Sequence, residues 1–347
     1  MKQSREAGNR LLEIVLDLAG VEGHIGLFPH ERFDADAIGA SVALARSFEK
    51  LGLKTSVIAG EEVPDSLSHL PGLEDLIVFS DEYDCPVFDL ALAIDCHEAG
   101  RMGLRGDCFL KTPLRGAIDH HVYTEDLGFL DLIDPAASSS CELAFELIWD
   151  LEMHLGRPIL DQTTAILLLA GVITDTGRYA YSNTTPLVLR QAALLMERFP
   201  DLDLAELHYN LYDRTSIPRL QIKGDIFSTI TTSADGRIIL AHVTQAMLKR
   251  RGAPDDELSN LASEIRAADN AAAVFLLIET ESGDIRVSIR SNSCFDSAAF
   301  ALGYGGGGHV KAAGMTLTGM TMEEALARMG KEAGEWLWAC SREGGHE

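Results

Sequence analysis

His24-Ile25-Gly26-Leu27-Phe28-Pro29-His30-Glu31-Arg32-Phe33-Asp34-Ala35-Asp36 is the stretch that decides the fold. Its apolar first part, His24 to Pro29, reads as a strand. A short polar piece with His30, Asp34 and Asp36 follows. Ile38, Val42, Ala45, Phe48 and Leu51 then recur on one helical face, which Gly52 closes. Strand, polar loop and helix in that order place one imidazole and two carboxylates just past a strand's carboxyl end.

The same arrangement repeats downstream. Lys54 to Ala59 reads as a strand, and Phe88 to Ile94 as another that runs into Asp95. Arg115 to Ile118 is a further short strand, followed by Asp119-His120-His121. Alternating strands and helices predict an α/β fold with a doubly wound, mainly parallel sheet. In such sheets ligands gather beyond the carboxyl ends of the strands. Asp161 to Ile173 is long enough for a helix, and Asp175 follows it in a Thr-Asp-Thr-Gly turn.

Residues 1–190 are expected to form this first domain, residues 191–221 a helical linker, and residues 222–347 a smaller mixed α/β domain. Within the linker, Leu207 to Arg219 carries the polar breaks. In the second domain, Ile226 to Thr232 and Arg237 to Val243 flank Ala-Asp-Gly, a hairpin signal. Ala272 to Glu279 and Ile285 to Arg290 flank Ser-Gly-Asp, a second hairpin. Phe295 to Leu302 leads into Gly305-Gly306-Gly307-Gly308-His309, and Met322 to Trp338 reads as a closing helix.

Composition narrows the function. The 347 residues carry 29 Lys and Arg against 53 Asp and Glu, a formal charge of -24. Such a surface repels a polyanion on average, which argues against grip on long duplex DNA and favours short or small anionic substrates. The longest apolar runs, Ala165 to Ile173 and Ala271 to Ile278, fall well short of the ~20 residues of a membrane span. No secretory signal is visible, so a soluble, cytoplasmic protein is expected. The six cysteines form no Cys-x-x-Cys pair and read as small buried residues in a reducing compartment.

Each polar piece alone has an ordinary structural account. An Asp-x-Asp can cap a helix, and a buried histidine is more often a hydrogen-bonded core residue than a ligand. The set is different. Carboxylates crowded at one rim repel, and they stay ionised together only around a cation. Imidazole with several carboxylates suits a pair of divalent metals, and paired metals suit phosphate ester hydrolysis. Four glycines in a row read either as a flexible hinge or as a backbone nest around phosphate.

Taken together, the His-x-x-x-Asp-x-Asp start, the lone Asp95, the Asp119-His120-His121 triplet and the later Thr-Asp-Thr-Gly resemble the DHH phosphoesterase superfamily. Gly305 to Gly314 resembles the glycine-rich signature of its DHH-associated C-terminal domain. The compact layout is most similar to the nanoRNase/pAp-phosphatase (NrnA-type) branch. It lacks the extra length of RecJ-like exonucleases and the sensor and membrane segments of larger cyclic-dinucleotide phosphodiesterases.

The resemblance implies an active site in the cleft between the two domains. His30 and Asp34 would bind one metal and Asp36, His120 and Asp175 the other, with Asp95 bridging. Asp119 would orient a histidine from behind. His121 would stand near the leaving oxygen, so that Asp95 and His121 are the catalytic pair. Nitrogen and oxygen ligands without thiolate favour manganese, with magnesium, cobalt or zinc as alternatives. Gly306, Gly307, Gly308, His309, Arg290 and Ser291 would contact substrate.

The chain departs from the family in two places. Phe33-Asp34-Ala35-Asp36 stands where relatives carry Pro-Asp-Gly-Asp, and Ala180 stands where they carry an arginine. Arg178 could replace that arginine only if its loop bends differently. Ser182 to Pro186 fits the family, either as substrate contacts or as a helix cap. Arg101 reads equally as an anion contact or an ion pair.

The expected activity is hydrolysis of short single-stranded oligonucleotides or small nucleotides, including pAp to AMP and phosphate; a homodimer is compatible with the sequence. The alternatives are a linear or cyclic dinucleotide (cyclic di-AMP type) phosphodiesterase and a non-catalytic nucleotide sensor. A pyrophosphatase or polyphosphatase would share the first motifs, but its relatives have a different second domain.

Overall fold

The computed structural model describes residues 2–80, 82–122, 130–253, 258, 261–292 and 294–343. The chain divides into two compact units between Arg214 and Thr215.

The first unit opens with helix α1 (Lys2–Ala19) and continues as β1 (His24–Pro29), α2 (Ala35–Glu49), β2 (Lys54–Ala59), β3 (Ile77–Val78) and β4 (Leu90–Ile94). Helix α3 (Arg105–Lys111) leads to β5 (Arg115–Asp119) and β6 (Leu132–Ile133). Helices α4 (Ser140–Leu155), α5 (Gln162–Asp175), α6 (Pro186–Arg198) and α7 (Leu204–His208) complete it. The sheet order is β3-β2-β1-β4-β5-β6, and all its pairings are parallel. The order reverses between β1 and β4, which makes their shared carboxyl end the topological switch point of the sheet. Pro29 pairs with Ile94 there, so the two loops that follow leave side by side.

Helices α2 and α5 pack closely because glycines stand at their contact. A Cβ on Gly39 would lie 2.6 Å from the Leu167 carbonyl oxygen, and one on Gly171 would lie 2.6 Å from Asp36 Oδ1 and against Cys141 Sγ. Gly171 therefore lets the Asp36 side chain sit beside the α5 backbone. Gly171→Ala is expected to cost about 1–3 kcal/mol by overpacking. Denaturant unfolding checks this, and a variant as stable as wild type would refute it.

The second unit begins with α8 (Ile217–Phe227) and continues as β7 (Thr231–Ser233), β8 (Ile238–Val243), α9 (Gln245–Arg251), α10 (Leu261–Ile265), β9 (Ala273–Glu279) and β10 (Ile285–Ser291). Helix α11 (Ser297–Leu302), β11 (Gly307–His309), β12 (Ala312–Leu317) and α12 (Met322–Glu343) follow. Its sheet runs β11-β12-β10-β9-β8-β7, antiparallel except for β8 beside β9.

Three local expectations need correction. The strand expected over Ile226 to Thr232 is only Thr231–Ser233, because Ile222 and Ile226 recur at helical spacing and bury one face of α8. Asp175 is the last residue of α5 rather than part of the turn after it. Cys85 and Cys108 are joined as a disulfide, with Cα atoms 5.8 Å apart, where separate buried thiols were expected. The pairing depends on tertiary proximity across 23 residues, which spacing alone does not reveal.

Candidate metal centre

The site is assembled at the switch point. Asp34 caps α2: its Oδ1 accepts the N–H groups of Asp36 (3.0 Å) and Ala37 (3.1 Å). Asp36, two residues on in the first turn, is fully buried, and its two oxygens accept the first N–H groups of α4, from Ser140 (2.7 Å) and Cys141 (2.9 Å). The positive end of α4 thus holds this carboxylate in place. Asp95 follows β4 with φ +58°, a left-handed conformation that is strained for a residue with a Cβ. Its Oδ1 accepts the Ser140 hydroxyl at 2.9 Å.

Imidazoles surround Asp95. His30 Nδ1 lies 2.7 Å from the Glu31 carbonyl oxygen, which can only accept, so Nδ1 carries the proton. Nε2 is left as a lone-pair donor, 3.3 Å from Asp95 Oδ2. His120 Nε2 lies 3.0 Å from Asp175 Oδ2, 3.5 Å from Asp95 Oδ1 and 4.0 Å from Asp36 Oδ2. That atom is buried and aligned for a hydrogen bond with none of the three. Three oxygens around one unsatisfied ring nitrogen describe a coordination site better than a hydrogen-bond network.

His121 is half exposed. Its Nδ1 donates to Asp119 Oδ1 at 2.8 Å and stands 3.7 Å from Asp95 Oδ1. The other Asp119 oxygen binds His97 Nδ1 in a very short contact. Burial works against the Asp119 anion, but the His121 and His97 hydrogen bonds outweigh it and hold its pKa near about 2. Asp119 therefore remains a carboxylate clamped between two imidazoles.

The electrostatics of the site favour a bound cation. Burial raises the Asp36 pKa well above the carboxylate range, and Asp95, Asp175 and Asp34 push it further. Burial also raises Asp175, with Asp34 and Asp95 adding to the shift against the pull of His120. Burial lowers His120, yet Asp175, Asp36 and Asp95 overcome it and push its pKa up to about 9. Burial likewise lowers His30, which Asp95, the Glu31 carbonyl and Asp34 overcome. Four carboxylates converge here with too little positive charge to keep all of them ionised. A cation resolves that conflict, and the donor set of imidazole nitrogens and carboxylate oxygens fits hard or borderline divalent ions.

Three sets of donor atoms lie within 4.8 Å of one another: His30, Asp34 and Asp95; Asp36, His120 and Asp175; and Asp95, His120 and His121. The structure brings together every acid and imidazole that the sequence singled out in the first unit. Three supporting groups lay outside that reading, His97, Ser140 and the Cys141 N–H, and Asn183 takes a backbone-tying role in place of the substrate contact or cap expected of its segment. The Asn183 amide donates to the Ser138 carbonyl (3.0 Å) and the Asp175 carbonyl (3.1 Å), tying the loop after α5 to the start of α4. The Ser138-Ser139-Ser140 run was the only local signal for any of them. Thr185 caps α6, and Cys96 is buried packing, as its apolar setting suggested. Arg178 does not replace the absent arginine by pointing into the site: its guanidinium stacks 4.1 Å over the Tyr212 ring and lies 3.7 Å from Asp213.

In the second unit the glycine run passes from a turn at Gly305 into a strand. Gly307–His309 is an exposed edge strand, with Gly307 opposite Gly314, Gly308 opposite Ala313 and His309 opposite Ala312. Gly308 has φ +142°, and a Cβ there would lie 2.5 Å from the Ala312 carbonyl oxygen. Arg290 is half buried, its Nε donating to Ser263 Oγ at 3.2 Å. Ser291 corrects an expectation. It is fully buried, with its hydroxyl donating to the Phe295 carbonyl (2.8 Å) and accepting from the Ser297 hydroxyl (2.8 Å), so it supports the strand and offers substrate no free group.

Comparison with known proteins agrees with this architecture. The family model for the DHH family, N-terminal domain, matches residues 24–172, and that for the DHHA1 domain matches residues 237–339. The chain is 32% identical over 320 residues to the bifunctional oligoribonuclease and PAP phosphatase NrnA of Thermus thermophilus, covering 90% of each chain. It is 28% identical to the protein of the same name from Bacillus subtilis, over 84% of this chain and 88% of that one. A crystal structure of an exopolyphosphatase-related protein from Bacteroides fragilis shares the fold, with a TM-score of 0.84 at 24% identity over 95% of this chain and 96% of that one.

Proposed function

The chain belongs to the DHH family, whose members are divalent-metal-dependent phosphoesterases, and we propose that it hydrolyses short oligonucleotides and converts pAp to AMP and phosphate. The observation that carries this reading is Asp95, which belongs to two of the three donor sets and shares His120 with the third. We assign His30 and Asp34 to one ion, Asp36, His120 and Asp175 to the other, and Asp95 to both, with manganese as the working metal.

Divalent ions held by these residues would supply positive charge against the phosphoryl oxygens and would acidify water at neutral pH. The protein's own groups do the rest. The Glu31 carbonyl holds the His30 proton on Nδ1, so the neutral ring presents Nε2 as its donor atom. Asp119 holds His121 by both its ring nitrogen and its backbone N–H. That fixes the half-exposed imidazole in orientation and leaves its other nitrogen to give a proton to the departing ester oxygen. His97 keeps Asp119 from turning away. In the second unit, the open edge of Gly307–His309 offers backbone N–H groups and an imidazole to a phosphate or sugar, and Arg290 adds positive charge. The net charge of -24 keeps long polyanions at a distance.

A substrate panel with manganese at fixed salt tests the assignment. Turnover is expected on pAp, dinucleotides and short oligoribonucleotides, and to be at least about tenfold slower on cyclic di-AMP and long duplex DNA. Chelation is expected to abolish it and manganese to restore it. Preference for long duplex DNA would overturn the reading.

His309→Ala removes a side chain assigned to the substrate and none assigned to the metal. KM is expected to rise about tenfold, the worth of one hydrogen bond to a charged group, with metal stoichiometry and kcat nearly unchanged. Loss of metal with normal KM would refute the assignment.

A further inference from the structure

Cys294 and Cys340 are 46 residues apart in sequence, yet their Sγ atoms are 3.1 Å apart. Cys294 is exposed in the turn between β10 and α11, while Cys340 is half buried near the end of α12. The backbone on both sides is anchored. Phe295 accepts the Ser291 hydroxyl, and Asp296 caps α11 by accepting the Ala299 N–H at 2.9 Å. Helix α12 is held in the core by Ala325, Met329, Ala333 and Leu337. A disulfide needs its sulfurs about 2.05 Å apart, so the two sulfurs are roughly one ångström from bonding distance.

We propose that Cys294 and Cys340 form a reversible thiol–disulfide pair, oxidised by exchange with a low-molecular-weight disulfide. The Cys294 thiolate attacks one sulfur of the small disulfide, making a mixed disulfide and expelling a small thiolate, which takes up the proton Cys294 lost. The Cys340 thiolate then attacks the Cys294 sulfur. The intramolecular bond forms, the mixed disulfide breaks, and a second small thiolate leaves and takes up the Cys340 proton. The protein loses two electrons and two protons, and the small disulfide gains them as two thiols.

Accessibility sets this order. Cys294 is the exposed sulfur, so it meets the reagent first. Burial and the adjacent Cys294 hold the Cys340 thiol up near about 11, and capping Cys294 removes the charge that contributes to this. The second step is therefore helped by the first. The other cysteines differ: Cys85 and Cys108 are already joined and buried, and Cys96 and Cys141 are fully buried. The bond would tie α12 to the turn whose neighbour Ser297 donates its N–H to the Val310 carbonyl at 2.8 Å, next to the glycine strand.

The test treats the folded full chain with oxidised glutathione, traps free thiols by alkylation, and maps peptides. Wild type is expected to yield a Cys294–Cys340 cross-linked peptide that dithiothreitol reverses. Cys340→Ser is expected to stop at a glutathione adduct on Cys294. In Cys294→Ser, Cys340 is expected to remain free of adduct. A stable adduct on wild-type Cys294 without the cross-link, or both thiols remaining free, would overturn the proposal. First capture at Cys340 in the single variants would overturn the order of attack.

Discussion

Asp95→Ala is expected to lower kcat/KM by at least about a thousandfold, the equivalent of several kcal/mol of lost electrostatic stabilisation. No other carboxylate in the site belongs to two donor sets. Asp95 Oδ2 faces His30 Nε2 at 3.3 Å, and Oδ1 faces His120 Nε2 at 3.5 Å. Removing it should weaken manganese at both positions, so calorimetry should show both binding events weakened rather than one. Alanine in a left-handed conformation carries its own strain, because φ is +58° at this position. Asp95→Asn separates the two causes. Asparagine tolerates that backbone and can still accept the Ser140 hydroxyl, yet it lacks the charge. The Asn variant should fold with an unchanged unfolding midpoint in the absence of metal and remain nearly inactive. Near-normal turnover in either variant would remove Asp95 from the bridging position.

How much of this was readable in the chain follows from which forces are local. The β1 and α2 pattern, the acids after strand ends and the Asp119-His120-His121 run are written in contiguous residues. Hydrophobic periodicity therefore places them on a parallel sheet from sequence alone. The groups that secure the site are not contiguous. Asp36 takes N–H groups from Ser140 and Cys141, more than one hundred positions away, and Asn183 reaches the Ser138 and Asp175 carbonyls. Capping of one helix by a side chain of another has no signature in either segment. His97 was overlooked for a similar reason, because its partner Asp119 belongs to the neighbouring strand. Ser291 differs in the opposite direction: the family resemblance implied a substrate contact, and only the fold shows its hydroxyl enclosed by Phe295, Val310 and Ser297. The two cysteine pairs are tertiary events as well.

Asp175→Asn is expected to act in opposite directions on stability and on activity. In the metal-free protein, burial and the charges of Asp34 and Asp95 disfavour the ionised Asp175 more than His120 favours it, so its pKa is raised. A carboxyl whose folded pKa lies above its unfolded value contributes stability at low pH and loses it as pH rises through the folded value. Above that point the ionised side chain destabilises the fold. The neutral amide has nearly the same shape and does not titrate, and no backbone N–H depends on the Asp175 carboxylate among the described hydrogen bonds. Metal-free Asp175→Asn should therefore unfold a few degrees higher than wild type at pH 8, as expected when a site strained for function is relaxed. The response to manganese should reverse the ranking. A ligand at one hundred times its Kd stabilises by about 2.7 kcal/mol per site, and of the two ion positions assigned above the variant keeps only that of His30, Asp34 and Asp95 complete. Its manganese-induced shift in midpoint should be roughly half that of wild type, and kcat/KM should fall at least about a hundredfold. Thermal melts with and without manganese, run beside a pAp assay, provide all three readouts. A variant less stable than wild type without metal, yet equally stabilised by manganese, would mean that Asp175 holds the fold together and does not bind the ion.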